Sequence, residues 1–413
     1  MRLDVAFGRA APALEPRDRA FVHELVYGVA RLRGRLDHLV ERRVHGGLGR
    51  LDPDVLDLLR LGAYQVLYMD GVPRYAAVSQ SVAQARERAG KGAAGLVNAV
   101  LRGVADDGAG PELFPDFGSD PAGWLERWGS HPRWMVERWL RRWPPDDVRA
   151  LVELDNRRPP VGLVPLGVPV EEAIEALRAA GVAAEPFEGA AGCVRLPVGV
   201  DPVAALGAVP SVIQDPGAHL VTRYADPDPG SVVADLCAAP GGKALALAAR
   251  ASYTLAADRS VRRLRLAREN ARRVGWPLGL VVGDAAHPPI RETDAVVVDV
   301  PCTGTGTLAR HPDGRWRLGP GSVEEMARVQ RGILEGAASV VRRGGLLIYS
   351  TCSLEPEENE DQVSAFLERH PDFRPERTRA VPGEYLDEAG RLAVLPWRTG
   401  FDGAFAARLR RAA

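Results

Sequence analysis

The sequence predicts an all-helical N-terminal region followed by an α/β region built on a doubly wound parallel sheet. Three observations carry this expectation. Residues 1 to about 145 repeat apolar residues at spacings of three and four, with no strand-like alternation. From about residue 211 onward, short apolar runs rich in β-branched residues alternate with helical stretches. Several of those runs end in aspartate just where a loop begins. The composition, 46% hydrophobic and 26% charged over 413 residues, is that of a folded globular protein and excludes collagen, coiled coil and wholesale disorder. At roughly 150 residues per domain, the length allows two or three domains. No run approaches the ~18 apolar residues of a membrane span, and the N-terminal segment lacks the apolar core of a signal peptide.

The helical region is clearest in LDPDVLDLLRLGAYQVLYM, where Val55, Leu58, Leu59, Leu61, Tyr64 and Leu67 form one face. Asp52 or Asp54 can cap its start, and Pro53 suits the first turn. AFVHELVYGVARLRGRLDHLVERRV and GLVNAVLRGV repeat the pattern. ADDGAGPELFPDFGSDPAG reads as a loop. The following run mixes Trp124, Trp128, Trp134, Trp139 and Trp143 with Arg133, Arg138, Arg141 and Arg142. It reads as an RNA-contacting surface or as a connector that packs its tryptophans, and the packing reading is preferred. From about 157 to 210, VGLVPL reads as a strand, VEEAIEALRAAG as a helix ending at Gly181, and CVRLP as another strand. The buried parallel strands expected beyond are SVVADLCA, YTLAAD, LGLVVGDA, DAVVVDVP and GGLLIYSTCS.

Charge and cysteine usage narrow the chemistry. With 53 basic and 54 acidic residues, the net charge is −1. That argues against a uniformly basic coat but not against a local basic face, for which residues 133–142, 259–273 and 308–317 are candidates. Only Lys91 and Lys243 are lysines, a bias that a GC-rich genome explains. Four dispersed cysteines, Cys193, Cys237, Cys302 and Cys352, do not make a disulfide scaffold, so a thiol-keeping cytoplasmic protein is expected. No CxxC or histidine-ligand spacing points to a metal.

The first strand of the α/β region runs into Asp235-Leu236-Cys237-Ala238-Ala239-Pro240-Gly241-Gly242-Lys243 before a helix opens. Paired glycines at a strand-to-helix turn let a ligand approach the backbone. The next strand ends in Asp258, placed to accept from a ribose diol, and a third ends at Asp284. These aspartates point to a nucleoside-containing cofactor without separating NAD from S-adenosylmethionine, although no GxGxxG signature supports an NAD-linked oxidoreductase. The fourth strand leads into Asp299-Val300-Pro301-Cys302 and the fifth into Ser350-Thr351-Cys352-Ser353. If those strands are neighbours, their ends lie roughly 5 Å apart and both sulfurs reach one substrate.

The set DLCAAPGGK, DVPCTGTG and STCSLEPEENE resembles the RNA 5-methylcytosine methyltransferases of the RsmB/Sun (Fmu) family. LLRLGAYQVLYMDGVPRYAAVSQSVAQA resembles their NusB-like domain, while HPRWMVERWLRRW, DNRRPP, IQDPGAHL and FDGAFAARLRR match the connector, the lead-in and the closing segment. The resemblance implies an all-helical NusB-like RNA-binding domain over 1–120 and a helical connector over 121–156. A small α/β, RRM-like subdomain over 157–210 and a Rossmann-like S-adenosylmethionine methyltransferase domain over 211–413 would follow.

It further implies cytosine-C5 methylation, most naturally of small-subunit (16S) ribosomal RNA, by a cytoplasmic monomer without metal or membrane. A tRNA substrate, or a non-catalytic RNA-binding assembly factor, is the alternative. Cys352 would be the nucleophile and Cys302 would assist proton removal and release. DNA cytosine methyltransferases instead use a Pro-Cys cysteine as nucleophile; the Thr-Cys motif here assigns that role to Cys352. Asp299 would hold the cytosine edge. Cofactor contacts would come from Cys237, Ala238, Ala239, Pro240, Gly241, Gly242, Lys243, Asp258, Arg263, Asp284 and Asp299. Four features depart from the pattern: Val300, Thr303, a VGLVPL strand without the usual Arg-Val-Asn, and a first helix reduced to LDVAFGRA. His311 is expected to be structural or close to RNA, not catalytic.

Overall fold

The structure, a computed structural model, describes residues 2–197 and 199–413. It divides into two compact units: residues up to Arg158 with Leu308–Pro320, and Pro159–Thr307 with Gly321–Ala413.

The first unit is helical: α1 (Leu3–Ala10), α2 (Pro16–Glu41), α3 (Pro53–Tyr68), α4 (Arg74–Asp107), α5 (Pro121–Arg127), α6 (Arg133–Leu140) and α7 (Pro145–Asp155). The Asp52 carboxylate caps α3 by accepting from the Asp54 amide, with Pro53 in the first turn. Leu36, Leu59, Val97 and Leu101 close the core between α2, α3 and α4. Trp124 and Trp139 are buried, which favours packing over RNA contact for that run.

The Leu308–Pro320 segment is where the sequence reading needs correction. Arg315, counted in a candidate basic face, is fully buried in this unit. Its guanidinium donates to the backbone oxygens of Arg31, Ser130 and Asp155 and to Asn156 Oδ1. Burial pushes its pKa down to about 9. His131, buried beside it, donates from Nε2 to Asp155 Oδ2 across 3.2 Å, and burial followed by the Arg315 charge lowers its pKa to about 4.

The second unit begins with β1 (Val161–Pro165), α8 (Val170–Ala179), β2 (Glu185–Pro186), β3 (Val194–Leu196), α9 (Pro202–Ala208) and β4 (Ser211–Ile213). They form an antiparallel sheet in the order β2-β3-β1-β4, a split βαβ arrangement. After α10 (Pro216–Ala225) come β5 (Val232–Asp235), α11 (Gly242–Ala248), β6 (Tyr253–Asp258), α12 (Val261–Val274), β7 (Gly279–Val282) and β8 (Thr293–Asp299). The short turn α13 (Gly314–Arg317) lies in the first unit. The rest is α14 (Ser322–Ser339), β9 (Val341–Thr351), α15 (Glu360–Arg369), β10 (Phe373–Pro375), β11 (Leu392–Val394), α16 (Pro396–Thr399) and β12 (Ala404–Arg411).

The large sheet runs β10-β12-β9-β8-β5-β6-β7, with β11 also paired to β12. Strands β5 to β9 are parallel, as expected, but β12 is antiparallel to β9 and extends the sheet. The continuous apolar runs reflect burial of both faces: Val296, Val298, Leu347 and Tyr349 are buried on one side and Val297, Leu346 and Ile348 on the other. The third strand stops at Val282, and Asp284 lies in the turn beyond it rather than at the strand end.

Arg315→Met is expected to destabilise the helical unit by about 3 kcal/mol or more, because four buried acceptors lose their donor. Equilibrium urea unfolding followed by helical circular dichroism measures this. A second expectation concerns pH. His131 must stay neutral to fold, so its contribution is present above the unfolded pKa of 6.5 and is lost as pH falls toward about 4. That gap corresponds to a loss on the order of 3 kcal/mol. A His131→Gln variant should flatten the acid side of the stability curve between those values.

Candidate active site

The site grows from the pairing of β8 with β9. Asp299 stands opposite Ser350 in register, so the two strands end together and release their loops side by side. Cys302 follows β8 by three residues and Cys352 follows β9 by one. Their sulfurs are 3.3 Å apart and both are partly buried. The hydrogen bond to Cys352, followed by burial, pushes the Cys302 thiol well above its ordinary pKa.

The close approach of the two loops needs glycine. The Gly306 amide donates to the Cys352 carbonyl at 3.0 Å, and the Gly306 carbonyl accepts from the Gly403 amide at 2.7 Å. A Cβ on Gly306 would lie 2.8 Å from both the Cys352 oxygen and the Gly403 Cα. The Gly-Thr-Gly and Phe-Asp-Gly motifs therefore meet backbone to backbone behind the Cys352 loop.

A buried carboxylate ties the loops from beneath. Glu358 Oε2 accepts from the Thr303 amide at 2.9 Å and from Gln330 Nε2 of α14 at 2.7 Å. Its Oε1 accepts from Ser353 Oγ at 2.6 Å and from the Thr303 hydroxyl. Thr303 neighbours Cys302 and Ser353 neighbours Cys352, so one carboxylate holds a residue next to each sulfur. Burial raises the Glu358 pKa against the pull of these donors. The same Gln330 nitrogen also donates to the Pro301 carbonyl.

Asp299 is held in a fixed orientation. Its Oδ2 accepts from Lys243 Nζ at 2.8 Å and its Oδ1 from Ser350 Oγ at 2.9 Å. Burial pulls the Lys243 pKa down, but the charges of Asp299, Asp235 and Cys352 outweigh it and the net shift is upward. Asp235, at the end of β5, is fully buried. Burial first and Asp299 second raise its pKa to about 7. Its Oδ1 accepts from the Cys237 amide, while Oδ2 is buried without a partner.

The Cys237–Lys243 loop forms the second half of the site. Gly241 has φ +102° at the start of α11, and a Cβ there would touch Ala267 of α12 at 3.0 Å. Around Gly242, nothing lies within 4 Å of where a Cβ would point, so the loop leaves open space. Arg263 binds the Ala239 carbonyl and sits 3.2 Å from Asp258. Burial raises the Cys237 thiol. The orphan Asp235 oxygen, the open space at Gly242 and the acceptors at Asp258 and Asp284 fit a ligand with an amino group and a ribose.

Cys352, Cys302, Asp299 and Lys243 thus converge in one cluster. Ala239, Pro240, Asp258 and Arg263 form an adjoining one. Asp284 is exposed, its carboxylate accepts from the Ala286 amide and its carbonyl from the His287 amide, and among the described residues it is not bonded to either cluster. Sequence reasoning quoted LEPEENE but gave Glu358 no role, and it passed over Ser350, Ser353 and Gln330. Glu355, Glu357 and Glu358 look alike in sequence; only the fold selects the one that reaches both loops.

Three family models match the chain: NusB family over 4–106, the RsmF/B-like ferredoxin-like domain over 131–201, and 16S rRNA methyltransferase RsmB/F over 223–410. Ribosomal RNA small subunit methyltransferase B of Thermus thermophilus is 36% identical, covering 96% of this chain and 89% of that one. The enzyme of that description from Vibrio cholerae is 33% identical, covering 99% and 93%. The crystal structure of PH0851 superposes with a TM-score of 0.78 at 26% identity, covering 99% of this chain and 93% of that one. Fold and site together define a Rossmann-like, S-adenosylmethionine-dependent methyltransferase. The chain belongs to the RsmB/F family, with a NusB N-terminal domain.

Glu358→Ala is expected to lower methyl transfer about a hundredfold while leaving S-adenosylmethionine binding unchanged, since misplacement of about 1 Å costs that much. Glu358→Gln, which keeps one acceptor, should fall between wild type and alanine. Single-turnover rates and calorimetric cofactor affinity measure the two effects.

Proposed function

We propose that this protein methylates C5 of a cytosine in 16S ribosomal RNA through a covalent bond between Cys352 and cytosine C6. The observation that carries the reading is the 3.3 Å approach of two thiols beside an oriented carboxylate at the carboxyl edge of the sheet. The names of the relatives from Thermus thermophilus and Vibrio cholerae support the small-subunit substrate.

Cytosine C5 is a poor nucleophile. Addition of the Cys352 thiolate to C6 pushes electron density to C5, which becomes enamine-like. Asp299 hydrogen-bonds the N3/N4 edge and stabilises the charge that builds there as the adduct forms. S-adenosylmethionine supplies the methyl group as an electrophile on a sulfonium, held by residues 237–243, Asp258, Arg263 and Asp284. After C5 is alkylated it carries a methyl group and a proton. Cys302 stands 3.3 Å from Cys352, beside the adduct, and in its deprotonated form takes up the C5 proton as general base. Removal of the C5 proton restores the C5–C6 double bond, breaks the Cys352–C6 bond and frees the product. Lys243 fits its place as a compact ammonium: one Nζ reaches Asp299 from the first turn of α11, where a guanidinium fork would need more room.

Cys352→Ala should abolish methyl transfer to unmodified 16S RNA, and Cys302→Ala should accumulate an RNA–protein adduct that survives denaturing electrophoresis. Full activity in Cys352→Ala would overturn the assignment. Bisulfite sequencing of ribosomal and transfer RNA from a deletion strain identifies the substrate; loss of a methylated cytosine only in tRNA would move the reading to tRNA.

A further inference from the structure

The three arginine clusters in the sequence prove physically different. In 133–142, Arg133 pairs with Glu137 and Glu126, and the Arg142 guanidinium lies over Trp143. In 308–317, Arg315 is buried and Arg317 pairs with Asp313. In the second unit, some exposed arginines are also capped, Arg195 by Glu185, Arg250 by Asp226, Arg342 by Asp294 and Arg369 by Glu335, while others, such as Arg291, Arg374 and Arg398, stand singly without an ion pair among the described residues.

Helix α12 differs in carrying four such unpaired arginines in a row on one side. Arg263 and Arg273 are tied down, the first by Ala239 and Asp258, the second by the Ser211 and Leu206 carbonyls. Arg262, Arg265, Arg268 and Arg272 are exposed, and none makes a hydrogen bond or ion pair among the described residues. At spacings of three, three and four they form one stripe, opposite the packed Leu264, Ala267, Ala271 and Val274. At 1.5 Å per residue the stripe is about 15 Å long.

Nothing in the fold requires it. Like charges at these spacings cost a few tenths of a kcal/mol per pair. The first turn carries no acidic residue, so Arg262 and Arg263 also oppose the helix dipole. The stripe begins at the turn where Arg263 touches the cofactor loop. Free guanidiniums in a row, adjoining the catalytic edge of a protein of net charge −1, match a row of phosphates.

We infer that the outer face of α12 binds the phosphodiester backbone of the RNA that carries the target cytosine, through Arg262, Arg265, Arg268 and Arg272. The inference rests on the RNA methyltransferase reading above and names a surface for its substrate. The contacts are to phosphate, so they hold the strand in place without reading its sequence.

The test replaces all four with Gln (R262Q, R265Q, R268Q, R272Q) and, in a second protein, all four with Lys. Binding of unmodified 16S RNA is titrated across salt concentrations, with methyl transfer measured on the same RNA. The Gln protein should show a salt slope shallower by about 3 and a KM for RNA raised about tenfold or more. Its kcat, cofactor affinity and unfolding midpoint should match wild type, because none of the four side chains is bonded to the fold. The Lys protein should keep most of the wild-type slope. An unchanged slope and KM in the Gln protein would sink the α12 surface while leaving the methyltransferase reading intact. Failure of the wild-type chain to methylate any ribosomal or transfer RNA would overturn both.

Discussion

The in-register pairing of β8 with β9 is the constraint on which the site depends. Parallel neighbours place their carboxyl ends at one level, and Asp299 opposite Ser350 fixes that level. A slip of one residue would turn Asp299 and Ser350 to opposite faces and break their hydrogen bond. It would also separate the loops that bring the sulfurs to 3.3 Å. The register is secured by burial on both faces, since Val296, Val298, Leu347 and Tyr349 fill the core on one side and Val297, Leu346 and Ile348 fill it on the other. Tyr349 adds a polar lock, donating its hydroxyl to the Glu358 carbonyl at 2.6 Å. Core packing and site geometry are therefore the same set of contacts seen from two ends.

Three carboxylates near this edge are handled in three ways. Asp299 accepts from the Lys243 ammonium on one oxygen and from Ser350 Oγ on the other, which fixes its orientation. Glu358 is surrounded by four donors, which makes it a fastener rather than a titrating group. Asp235 has one amide donor and a buried free oxygen, and its pKa rises to about 7. An under-satisfied buried carboxylate is costly in an empty fold unless a donor arrives. A ligand bearing an ammonium group would supply one, so the cofactor loop is arranged to gain on binding what it lacks alone.

The parts legible in sequence were those with a local cause. Alternating apolar runs and helices give the parallel sheet, because strands buried on both faces must be apolar throughout. Strand-end motifs give Cys302, Cys352 and Asp299, because loops at the carboxyl ends face one crevice. What escaped depends on contacts far apart in the chain. Gln330 reaches Glu358 from α14, and Gly403 meets Gly306 across about a hundred residues; neither leaves a local pattern. Arg315 was misread for the same reason. Among Arg310, Arg315 and Arg317 nothing local marks the one that is buried, since its partners are carbonyls on α2, α7 and the turn at Ser130.

That lesson extends to net charge. A total of −1 says little about how a polyanion meets this surface, because charges beyond about 8 Å are screened at physiological salt. What acts at that range is local charge left over after internal pairing. Glu376 absorbs Arg408 and Arg410, and Asp387 absorbs Arg391, so these residues contribute to the count of 53 but little to the local field. Pairing absorbs part of the positive charge of the second unit, and the unpaired remainder includes a row of four arginines on α12. A protein with balanced total charge can in this way still carry a local row of positive charge.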